Sequence, residues 1–115
     1  MLGTNDCKSA FGASAGIIAQ GMEKCIAKLT KCVKPENILL ISPIFLEEAA
    51  LDSSYDSRSL TVSRELKEAY RKTADAYGAA FLAASDIAKA SIIDGEHLTE
   101  EGHRALYEAV YHMII

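Results

Sequence analysis

Apolar residues recur at helical spacing from about Ser14 to Val33. Ile18, Met22, Cys25, Leu29 and Cys32 form one stripe, with Glu23, Lys24, Lys28 and Lys31 on the other side. Ser14 suits the N-cap, and Pro35 lies just beyond the end, where a helix cannot continue. The next run, Ile38-Leu39-Leu40-Ile41, is unbroken, as in a strand covered on both faces of a parallel sheet, and Pro43 closes it. From Phe45 to about Leu60 acids, serines and scattered apolar residues show no period. The stretch reads as a long loop, of the length that often serves as a lid or binding loop.

Helical spacing returns over Val62–Tyr77, with Leu66, Ala69, Tyr70, Thr73, Ala74 and Tyr77 inward and Gly78 as a C-terminal stop. Tyr70, Tyr77 and Phe81 read as core. Residues 79–84, rich in alanine, read as a second buried strand. Thr99 then caps a last helix that opens on Glu100 and Glu101, where the helix dipole favours acids. Its buried face is expected to hold Ala105, Leu106, Ala109, Val110 and Met113. With Met1-Leu2 as the end of a further strand, strands and helices alternate throughout. That order predicts a single α/β domain over residues 1–115 with a parallel sheet and flanking helices.

Composition narrows the class. The chain has 115 residues, half of them hydrophobic, and a formal net charge of −4. The charge argues against nucleic acid, whose phosphates call for an excess of Lys and Arg. It argues equally against an electrostatic hold on a membrane surface, and no apolar run approaches the ~20 residues that span a bilayer. With no export signal evident, the expected location is the cytoplasm. The three cysteines give no complete disulfide framework. Cys25 and Cys32, roughly 10 Å apart along one helix, read as small buried hydrophobes.

In a parallel sheet, ligands bind beyond the carboxyl ends of the strands. Gly3-Thr4-Asn5-Asp6 and Asp94-Gly95-Glu96-His97 are both expected there, placing an amide, a carboxylate and an imidazole on one rim. These two blocks carry a resemblance. Gly3-Thr4-Asn5-Asp6 resembles the Gly-x-Asn-Asp block of the SGNH hydrolases, the GDSL-type esterases and lipases. Asp94-x-x-His97, followed by Leu98-Thr99-Glu100-Glu101-Gly102-His103, resembles that family's Asp-x-x-His block and the helix after it. Met1-Leu2-Gly3-Thr4-Asn5-Asp6 with Lys8 looks most like the arylesterase and acyltransferase branch.

The resemblance covers nearly the whole chain but only the C-terminal part of the family domain. It implies a truncated flavodoxin-like sheet lacking the N-terminal strands. It also implies catalytic roles for Asn5 as an oxyanion donor, His97 as general base and Asp94 as the carboxylate that orients it. No cofactor or metal is expected. The family's Gly-Asp-Ser nucleophile block does not occur in these residues: Asp52-Ser53 and Asp56-Ser57 lack the preceding glycine. The family's second oxyanion donor, a glycine, has no counterpart either.

The expected function is therefore ester hydrolysis of small acyl esters by serine acyl transfer, in a fragment inactive alone for want of its nucleophile. The alternative is a non-catalytic α/β module that self-associates through an exposed sheet edge or face. Cys7, beside Asn5, is a lesser candidate as a substitute nucleophile, and Asp94, His97 and His103 a lesser one as a metal set. His103 and His112 otherwise read as surface or helix-packing residues.

Overall fold

A computed structural model describes residues 1–52 and 54–114. The chain forms α1 (Ala15–Leu29), β1 (Leu39–Ser42), α2 (Ser57–Tyr77), β2 (Ala80–Ala83) and α3 (Glu100–Ile114), with short 3-10 turns between them. The two strands pair in parallel, with Leu39 opposite Ala80 and Ser42 opposite Ala83. This is an α/β fold with a parallel sheet and flanking helices, as the alternation of elements predicts. The sheet is smaller than that order suggests. Met1 and Leu2 join no strand, since the only ladder among the described residues runs between β1 and β2.

Side chains alternate across the strand. Leu40 therefore joins the main core with Ile18, Ile26, Leu66, Tyr70 and Ala74 of α1 and α2. Ile41, on the other face, packs with Ile44, Ala84, Ala90, Leu98 and the α3 residue Leu106. One sheet thus separates two cores, with α1 and α2 on one side and α3 on the other. The central element is α2: it packs on α1, on both strands and on the turn Thr4–Cys7.

Capping sets the helix ends. Ser14 accepts a hydrogen bond from the Ile17 N–H at 3.2 Å, and the Thr99 hydroxyl accepts one from Gly102 at 3.0 Å. Gly78 ends α2 with φ 72°, a conformation that side chains rarely adopt. The start of α2 corrects the expected boundary. Asp56 accepts from the Ser59 N–H at 2.9 Å while the Ser59 hydroxyl accepts from the Asp56 N–H at 3.1 Å. This capping box starts the helix at Ser57 and removes the last residues from the long loop.

The buried face of α1 also differs from the expected stripe. Ala15, Ile18, Ala19 and Ile26 face the core, whereas Cys25 and Leu29 are exposed, and Cys32, also exposed, lies beyond the end of α1 at Leu29, short of the expected Val33. The helix is apolar on much of its circumference, so periodicity alone does not select the face that meets α2. On α3 only Gly102 is fully buried. Ala105, Leu106, Ala109 and Val110 are half covered, and Met113 is exposed.

Candidate active site

Two loops hold the candidate residues. The first is the 3-10 turn Thr4–Cys7. It begins on Gly3 at φ 133°, where an added Cβ would lie 2.6 Å from the Tyr70 hydroxyl oxygen. That hydroxyl donates to the Leu2 carbonyl at 2.9 Å, so a buried tyrosine of α2 fixes the height of the turn. Asn5 lies exposed on the turn. Cys7 points the other way. It is buried, its thiol donates to the Gly3 carbonyl at 3.5 Å, and burial pushes its pKa up to about 11. A thiol so held is a poor source of thiolate, which argues against Cys7 as a nucleophile.

The second loop, residues 91–97, is closed at its base by a bridge between Ala90 and Leu98 and by the Ser91 N–H donating to the His97 carbonyl at 2.8 Å. Gly95 lies inside it with φ 66°. An added Cβ there would meet the Ala50 nitrogen at 2.5 Å and the Glu47 oxygen at 2.9 Å, and the Gly95 carbonyl accepts from the Glu47 N–H at 2.9 Å. Only glycine fits both the dihedral and the space.

Asp94 uses both its oxygens. Oδ1 accepts from the backbone N–H groups of Glu96 and His97 at 2.9 and 3.0 Å, and Oδ2 lies 2.8 Å from Nδ1 of the His97 ring. The backbone donors, first that of His97 and then that of Glu96, hold the Asp94 carboxyl down near a pKa of about 2. The hydrogen bond that His97 makes to the Asp94 carboxylate is the main cause that raises His97, with the Glu96 charge adding to it. The signs agree. A depressed carboxyl stabilises the fold above its ordinary titration range, and that contribution fades as pH falls toward 2. A raised imidazole stabilises the fold below its ordinary pKa, and that contribution fades as pH climbs through the folded-state value. With Nδ1 engaged by Asp94, Nε2 is left free on a side chain that is 72% exposed. An imidazole so oriented can take a proton from an attacking hydroxyl.

The structure brings Asp94 and His97 into direct contact. It joins Asn5 to them through two residues that the sequence did not single out. The Tyr55 hydroxyl donates to Glu96 Oε1 at 2.9 Å and lies 3.4 Å from Asn5 Oδ1. Tyr55 is the sole aromatic between Leu51 and Leu60, a signal for burial that was there to be read. Among the described residues no three His, Cys, Asp or Glu side chains converge as a metal site requires, so Asp94, His97 and His103 do not form one. No helix among them is long and apolar enough to cross a membrane.

No family model matches the chain, and no curated protein sequence does. Solved structures do. Est24, a carbohydrate acetylesterase from Sinorhizobium meliloti, is 30% identical with a TM-score of 0.88, over 99% of this chain and 57% of its own. A carbohydrate acetylesterase family member from the same organism is 27% identical with a TM-score of 0.80, over 99% and 59%. The native aryl esterase of M. smegmatis, at 24% identity and a TM-score of 0.88 over 99% and 57%, shows the same fold. The chain has the fold of the SGNH-type esterases. It spans somewhat over half the length of these structures.

Gly95→Ala is expected to destabilise the protein by more than about 2 kcal/mol, through strain at positive φ and overlap with the 47–50 backbone. Urea unfolding of the variant beside the parent chain measures it.

Proposed function

We propose that this chain carries the acyl-transfer machinery of an ester hydrolase, with Asn5, His97 and Asp94 as its catalytic residues. The observation that carries the reading is the 2.8 Å contact between His97 Nδ1 and Asp94, with the other Asp94 oxygen tied to the loop backbone. A carboxylate so placed fixes the tautomer that leaves Nε2 as the base and stabilises the imidazolium when it forms. Asn5 supplies side-chain N–H donors to the developing oxyanion, an interaction whose removal typically costs roughly 100- to 1000-fold in rate. These 115 residues hold no Gly-Asp-Ser block; the attacking group this reading calls for is a serine hydroxyl supplied by such a block. Its proton goes to His97, which passes it to the departing alcohol as the ester C–O bond breaks and the acyl-enzyme forms; water, giving its proton to the same imidazole, then releases the acid and the serine recovers its proton.

Small acyl esters, including acylated sugars and alcohols, are the substrates, in keeping with the carbohydrate acetylesterases and aryl esterase that share the fold. The three free cysteines suit a cytoplasmic protein. Hydrolysis of a short-chain aryl ester tests the reading. The chain alone is expected to show no turnover above a His97→Ala variant. Fused behind a segment carrying the Gly-Asp-Ser block, it gains turnover that His97→Ala abolishes and Cys7→Ala leaves intact. A fused chain whose turnover is indifferent to His97→Ala contradicts the assignment.

Self-association is a second reading with its own observation. Leu2 and Phe11 are each 66% exposed and Ile17 60%, around a groove of about 330 Å³ along α1. Exposed apolar surface of this kind favours contact with another chain. A dimer or larger assembly at micromolar concentration by light scattering is the expected outcome. A monomer that stays monomeric as the concentration rises contradicts it.

A further inference from the structure

Tyr55 is held before its side chain makes any contact with the site. The Asp52 carboxylate accepts from the Tyr55 N–H at 3.1 Å, and the Asp52 N–H donates to the Tyr55 carbonyl at 3.1 Å. The preceding carbonyl, of Ser54, accepts from both the backbone and the hydroxyl of Ser9, at 2.8 and 3.1 Å. The tyrosine is 3% exposed although Asp52 and Asp56 on either side lie at the surface. Its ring therefore enters the molecule from a fixed point and delivers the hydroxyl between the two loops of the site.

A phenol has one proton to donate. The 2.9 Å bond to Glu96 is well formed, and the 3.4 Å approach to Asn5 Oδ1 is a weaker contact. In this geometry the Asn5 amide presents Oδ1, not its N–H donors, to Tyr55. Glu96 faces two ways. One oxygen accepts from Tyr55, and the other lies 4.0 Å from His97 Nδ1.

We propose that Tyr55 and Glu96 are the positioning pair of this site, a strut that sets the distance between the Asn5 turn and the Asp94–His97 loop. The inference rests on the acyl-transfer reading for its purpose, but its geometry and its test do not. Neither residue is assigned contact with reacting atoms; both act through Asn5 and His97. The titratable groups that face the imidazole are Asp94 and Glu96 of its own loop, with the Tyr55 phenol arriving from the 52–56 segment.

Two variants separate the mechanical role of Glu96 from its charge. Glu96→Gln keeps an oxygen to accept from Tyr55 and removes the charge beside His97. Tyr55→Phe removes the hydroxyl and keeps that charge. The experiment is NMR of the isotopically labelled 115-residue chain, reading the Asn5 side-chain amide signals, the backbone signals of residues 94–97 and the titration of the His97 ring. Tyr55→Phe is expected to move both the Asn5 amide and the 94–97 signals. Glu96→Gln is expected to leave the Asn5 amide in place and lower the midpoint of His97. Should Tyr55→Phe fail to fold, Glu96→Ala reads the same link from its more exposed end and must move the Asn5 amide. An Asn5 amide unmoved by loss of either partner overturns the proposal. So does a Glu96→Gln chain in which Asn5 shifts and His97 titrates as before. Neither readout needs turnover, so a chain that hydrolyses no ester leaves the test standing.

Discussion

The place of the His97 imidazole is decided two residues earlier, by a glycine at φ 66° pressed against the backbone of residues 47–50. The hydrogen bond from Glu47 to the Gly95 carbonyl and the bridge between Ala90 and Leu98 hold the loop at its crown and its base. With the loop shape set, Asp94 can bind two backbone N–H groups and the imidazole at once. None of these contacts is strong alone, because Asp94 and His97 are close to solvent. Together they leave one arrangement in which every oxygen of the carboxylate is used.

The other loop depends on α2. Leu66 and Ala74 are fully buried and Tyr70 nearly so, and they form the ridge on which α1, the sheet and the Thr4–Cys7 turn all rest. The Tyr70 hydroxyl, at the surface of this core, meets the Leu2 carbonyl and leaves no space for a side chain at Gly3. Packing energy thus fixes the Asn5 turn, while local hydrogen bonds fix the His97 loop. The contact that joins the two passes through Tyr55 and Glu96.

Much of this was legible in the residues. The order of helices and strands, the inner stripe of α2, the Thr99 cap and the stop at Gly78 follow from local rules of period and capping. The pairing of Asp94 with His97 was an expectation of the family resemblance, which a spacing of three across a turn allows. What escaped were features set by tertiary contact. Ile17, Ile18, Met22, Cys25, Ile26 and Leu29 surround α1 with apolar surface, so only its packing on α2 selects Ile18 and Ile26 over Cys25 and Leu29. The start of α2 was hidden because Asp56 looks like any loop aspartate until Ser59 completes the box. Tyr55 and Glu96 are 41 positions apart, and no local pattern joins them.

The most direct measurement is the nitrogen NMR spectrum of the His97 ring at a pH above its titration. The account requires the neutral tautomer with the proton on Nδ1, bonded to Asp94, and a bare Nε2 free to act as base. In an Asp94→Ala chain that preference is expected to vanish. A ring that carries its proton on Nε2 in the parent chain contradicts the account, since the Asp94 contact would then not set the base.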